Sequence, residues 1–167
     1  VHRIVYGDSD IGHVERRGIV DAIADKADYM PFALQQIHDP VFLPILTKLT
    51  HDKNPHVASD AIECCALIDS EKALKIAKKQ IEHTHRFVQA AALFVIGRYG
   101  DRSLLSTVKK AFTQCKSSWR KIGFLEVLYY IDNNDTSYLD AIISILYATS
   151  SYHTQCAALN AIDAIRN

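Results

Sequence analysis

Hydrophobic positions along this chain recur at the i, i+3, i+4, i+7 spacing of an amphipathic helix. Leu43, Leu46 and Leu49 follow it across residues 40–50, and Leu139, Ile142, Ile143 and Leu146 across 136–147. Stretches 70–81 and 102–112 carry the same pattern. Polar breaks fall at 51–55, 82–86, 113–118, 132–135 and 149–152. Ser70, Asp101, Asp135 and Thr136 stand where a helix needs an N-cap oxygen. Pro40 follows Asp39 at a predicted helix start, where its missing N–H costs nothing. Gly100-Asp101 reads as the end of one helix and the start of the next.

Between these stretches the chain repeats itself. Residues 54–69, 85–101 and 117–132 each enter from a polar turn and place Val57, Val88 or Trp119 in the first turn. Four residues on stand Ala61, Ala92 and Gly123; four further stand Cys65, Ile96 and Val127. A fourth copy, 152–167, carries Ala157, Ala161 and Ile165 at matching steps. The period is about 31–34 residues, the signature of a helical-pair repeat. Each unit is therefore a helix A, a short turn and a helix B. One pair cannot bury both faces, so pairs must stack. Small residues in helix B suit a close approach between successive units. One period back, 8–23 and 27–37 form a more diverged pair with Pro31 near the start of its second helix. The expectation is one all-α domain, a right-handed α-α superhelix with units at 7–38, 39–69, 70–101, 102–133 and 134–167.

The pattern in 54–69 and 85–101 resembles the HEAT repeat, in the short form also seen in phycobilisome-lyase-like HEAT proteins. The resemblance covers nearly the whole chain and is clearest from 39 to 132. It implies the solenoid fold. HEAT repeats often carry an arginine after the first-turn apolar residue of helix B. Here Trp119-Arg120 keeps it, whereas Val57-Ala58 and Val88-Gln89 do not.

Composition narrows the function classes. With 19 Lys plus Arg against 19 Asp plus Glu, the formal net charge is zero, which disfavours nucleic-acid binding by overall positive charge. Six Gly and four Pro are too few for a barrel of many short strands. No apolar run approaches the length of a membrane span, and residues 1–20 are too charged for a secretory signal. The chain begins at Val1 and stops just after a helical pattern, so the expectation is a piece of a longer protein. Cys64 and Cys65 are adjacent and cannot form an ordinary disulfide with each other. With Cys115 and Cys156 they read as free thiols in a reducing, cytoplasmic setting.

The eight histidines invite a metal reading, above all His83 and His85 with His51 and His56 one unit earlier. The deoxyhypusine hydroxylases, built on similar repeats, take metal ligands from His-Glu dipeptides, and this chain has none. The histidines are expected to be solvated turn residues, with no metal and no cofactor. Asp132-Asn133-Asn134-Asp135 lacks the spacing and terminal Glu of a calcium loop and reads as a polar linker. There is no nucleophile elbow and no glycine-rich phosphate loop. Two enzyme-related alternatives come from the resemblance. One is a phycobilin-lyase-like subunit. The other is a nucleic-acid-binding or base-excising domain that would use Arg120 and Lys121, with Arg102, Lys109, Lys110 and Lys116 near in sequence. Trp119, in the register above, belongs to the core.

The leading expectation is a non-catalytic scaffold that binds a protein or peptide partner along a concave B-helix face. Counting helical steps from the buried positions leaves Ser59, Glu63, Gln89, Arg98, Arg120, Lys121, Glu126, Tyr130, Gln155, Asn160 and Asp163 on that face. This two-signed, partly aromatic set suits a protein surface better than a polyanion.

Overall fold

The computed structural model describes residues 39–166; the predicted unit 7–38 lies outside the described residues. Those residues form eight α-helices and no strand. The A helices are α1 (Leu43–Leu49), α3 (Ser70–Gln80), α5 (Leu105–Gln114) and α7 (Thr136–Ala148). The B helices are α2 (Pro55–Ile68), α4 (Arg86–Tyr99), α6 (Ser118–Ile131) and α8 (Tyr152–Arg166). Single 3-10 turns, Pro40–Phe42 and Arg102–Leu104, lead into α1 and α5. The fold is all-α and repeat-like, four helix pairs stacked in chain order.

Caps explain the boundaries. Asn54, His85 and Ser117 cap the three B helices α2, α4 and α6 with a side-chain acceptor. Asp39, Asp101 and Asp135 do the same for the A side. One expected cap moves by one residue: Asp69, not Ser70, receives the Lys72 N–H at 2.9 Å. Of the two expected at α7, Asp135 and not Thr136 is the cap, and it receives the Ser137 N–H. In both cases a carboxylate stands just before the hydroxyl residue and meets the positive end of the helix. Gly100 ends α4 as expected, and a Cβ there would collide with the Ile96 carbonyl oxygen. Asn133 and Asn134 turn the chain after α6 with φ of 56° and 59°, the left-handed region that asparagine tolerates.

The B helices pack directly on one another, α2 on α4, α4 on α6 and α6 on α8. Among the described residues no two A helices are in comparable contact. The stack is therefore tighter on its B side. One core cluster runs through the first three pairs, and a second joins Ile122, Leu125, Ile142, Ala158 and Ala161. Phe112 and Tyr138 pack against both clusters and make the interior continuous.

The third copy is shifted by one residue from the sequence alignment. B helices begin at Pro55, Arg86 and Ser118, so Phe124 and Leu128 occupy the places of Ala61/Cys65 and Ala92/Ile96. Phe124 is 0% exposed, whereas Gly123 and Trp119 are only partly buried and line a groove. Trp119 is thus not the counterpart of the fully buried Val57 and Val88. The extra residue is Gly100, which stands between the end of α4 and the Asp101 cap where α2 runs straight into Asp69, and it slides the apolar stripe of α6 by one position.

Ala92 is fully buried on α4, among the residues that bind three pairs into one core. Ala92→Leu is expected to destabilise the fold by about 1–3 kcal/mol through overpacking. An unchanged thermal midpoint would mean that α4 has room at this position.

Candidate groove on the B-helix face

The B-helix face is built from residues four apart on each B helix, one above another along the axis. On α4 these are Arg86, Ala90, Phe94 and Arg98, all exposed. On α6 they are Ser118, Ile122, Glu126 and Tyr130. Between α4 and α6 runs a groove of about 500 Å³. Its floor depends on two glycines. A Cβ on Gly97 would lie 3.3 Å from Val127 Cγ2, and one on Gly123 would lie 3.4 Å from Leu93 Cδ1. The helices approach closely there, and the missing side chains leave open volume above them.

Aromatic rings form the walls. Phe94 is 49% exposed and Tyr130 is 40% exposed. Tyr130 is held in place by donating its hydroxyl to the Ala164 carbonyl at 3.0 Å. Trp119 closes one end beside Arg86, whose guanidinium lies 4.7 Å from the Phe87 ring centre and 6.0 Å from that of Trp119. Arg98 stands at the other end, 5.7 Å from the Tyr99 ring centre.

The eleven residues expected on this face divide into three groups. Arg98, Glu126 and Tyr130 line the groove, and Glu63 and Asn160 stand in the same row on the neighbouring helices α2 and α8. Ser59, Gln89 and Arg120 are committed to internal bonds. Ser59 is 7% exposed and donates to the His56 carbonyl at 2.8 Å. Gln89 is 5% exposed; its amide donates to the Ile81 carbonyl at 2.7 Å and its Oε1 accepts from Arg120 Nε. Arg120 also donates to the His83 carbonyl at 2.8 Å and the Thr84 carbonyl at 3.4 Å. It thereby ties the third B helix to the preceding one and to the turn before it. Lys121, Gln155 and Asp163 lie off the groove. Lys121 reaches over the Phe112 ring at 5.7 Å, and Gln155 donates to the Thr149 carbonyl at 3.0 Å.

The expected cationic patch is dispersed by these contacts. Lys109 and Arg102 pair with Asp132 at 3.5 and 3.3 Å on the A side of the stack. Asp132 also accepts from Tyr138 at 2.8 Å, so the start of the 132–135 linker is an ionic joint between successive units. Of the turn histidines, His51 and His56 are exposed as expected, although His56 packs on Phe87 with ring centres 4.4 Å apart, whereas His83 and His85 are half-buried. His85 caps α4, and His83 accepts the His85 N–H at 3.0 Å. Among the described residues no group of three or more His, Cys, Asp or Glu is placed to hold a metal. None of the helices described is long and apolar enough to cross a membrane.

Reading from the sequence missed Arg86, Phe94 and Trp119. The four-residue step from Arg98 reaches Phe94 and Arg86, and that step was the available signal. A phenylalanine in an apolar helix reads as core until its neighbours are known.

Burial holds two carboxyls of α2 above the usual range. Asp60 is raised to about 6 by desolvation, partly offset by His56; its Oδ2 is buried without a partner. Glu63 is raised to about 6 by desolvation and then by the nearby Asp60 charge. The folded chain therefore keeps protons that the unfolded chain has released, so stability falls as pH rises from about 4 to about 6. Thermal melts across that window should show this slope in the wild type and a flatter one in Asp60→Asn/Glu63→Gln. Parallel profiles would assign the slope to other groups.

Compared with known proteins, the chain matches no family model, no curated protein and no solved structure.

Proposed function

We propose that this chain is a non-catalytic HEAT-like module that takes up a protein or peptide partner along its B-helix face. One observation carries the reading: the groove between α4 and α6 presents Phe94, Trp119 and Tyr130 together with Arg86 and Arg98. Aromatic rings and arginines around an apolar depression are the composition of binding hot spots. The groove volume of about 500 Å³ is that of a site able to bury several side chains of a ligand. The thiols support a reducing, cytoplasmic setting: burial pushes Cys65 up to about 11 and Cys64 higher still, so both stay protonated and unreactive.

Selection of a random-peptide display library on the intact chain tests the reading. Bound peptides should lose at least tenfold in affinity for Phe94→Asp, while the thermal midpoint stays near that of the wild type because Phe94 is half exposed. Failure to recover any binder that depends on Phe94 would remove the groove as a partner site.

A further inference from the structure

The charges around the groove say more about what it takes up. Arg86 and Arg98 both line the groove from α4, twelve residues apart, which is about 18 Å along the helix axis. Each guanidinium is steadied by a ring, and among the described residues neither is paired with a carboxylate. A third cation, Arg120, sits in the wall with its N–H groups already shared among Gln89, His83 and Thr84. The only acidic residue in the lining is Glu126. The groove is therefore apolar along its middle, cationic at both ends and positive in sum.

Resting on the peptide-binding reading above, we infer that the groove recognises an extended acidic–apolar–acidic segment, one carboxylate on Arg86, one on Arg98, and apolar side chains between. Extended backbone advances about 3.3 Å per residue, so the 18 Å between the two arginines corresponds to about five or six residues. Guanidinium–carboxylate pairing at each end supplies register. The intervening side chains meet Leu93, Phe94 and Ile122, with Trp119 at the Arg86 end and Tyr130 beside Gly97 near the Arg98 end. Glu126 has a defined place in this arrangement. An extended segment brings unpaired backbone N–H groups into the groove, and a half-buried carboxyl in the apolar stretch accepts one. A helical segment has its backbone donors satisfied within itself and gives Glu126 no partner. Burial also holds the Glu126 carboxyl above its ordinary range.

The same display selection decides the matter through the composition of its binders. The expected result is peptides with two acidic residues about six positions apart, which puts both on one face of the extended segment, and aromatic or aliphatic residues between. Their affinity should drop at least tenfold for Arg86→Glu/Arg98→Glu and return when both peptide acids are replaced by lysine. Single Arg86→Ala and Arg98→Ala variants, both at exposed positions, should each give an intermediate loss. Binders that need Phe94 but are neutral or basic, or that ignore the charge reversal, overturn this inference and leave the binding module standing. Absence of any binder that needs Phe94 overturns both.

Discussion

Phe124→Ala is expected to cost about 3–5 kcal/mol, the range for removing a fully buried aromatic ring. Phe124 is completely buried and heads the largest fully buried side chains of the described residues. It fills the position held by Ala61 and Ala92 in the two preceding B helices, and its ring meets Phe112 edge-on with centroids 6.4 Å apart. The space that earlier units close by near approach of small residues is closed here by one large ring. Its removal leaves a cavity between α5 and α6, beside the point where the two core clusters meet. Chemical denaturation of the variant should show a lower midpoint, and a loss below about 1 kcal/mol would mean that the ring is not the pivot of this unit. The neighbouring Gly123 serves as contrast. Its Cβ position is 3.4 Å from Leu93 Cδ1, an ordinary contact, so Gly123→Ala should change stability far less.

Arg120→Ala is expected to cost about 1–3 kcal/mol, because it strands Gln89 Oε1 and two turn carbonyls. Gln89 is 5% exposed, so water has little access to replace the lost donor. Lysine in place of Arg120 should restore only part of the loss. It is a single point donor, whereas the guanidinium fork reaches three acceptors at once. The test is a double-mutant cycle. In a Gln89→Ala background the Arg120→Ala cost should shrink, since one acceptor is already gone. Equal costs in both backgrounds would show that the bridge across the two units carries no coupling energy.

Much of this architecture was legible from local pattern. Helix α2 follows from Asn54-Pro55 and the apolar run behind it, because a capping amide and a proline at the first position are sufficient local instructions. Glu63, Arg98, Glu126, Tyr130 and Asn160 fall in one row of the B helices, Arg98, Glu126 and Tyr130 of them lining the groove, because four-residue steps from buried positions are a local measurement. Ser59 and Gln89 resisted it. A polar residue on a helix face reads as solvent-facing, yet Gln89 is buried by a partner 31 residues away in the chain. Trp119 failed in the opposite sense. It aligned with Val57 and Val88 by sequence, and the one residue added at Gly100 turned it toward the groove.

By itself, then, the amino-acid order determined the helices, their caps, their pairing into repeated units and the face that each buries. These depend on the 3.6-residue period and on groups within one turn of each other. Tertiary packing alone decided that Phe124 and not Gly123 faces the core. It also decided that Arg120 joins two units, and that Arg86, Phe94, Trp119 and Tyr130 share one groove. Those outcomes depend on the register between helices about thirty residues apart, which is set by turn length and by how closely glycine lets two helices approach.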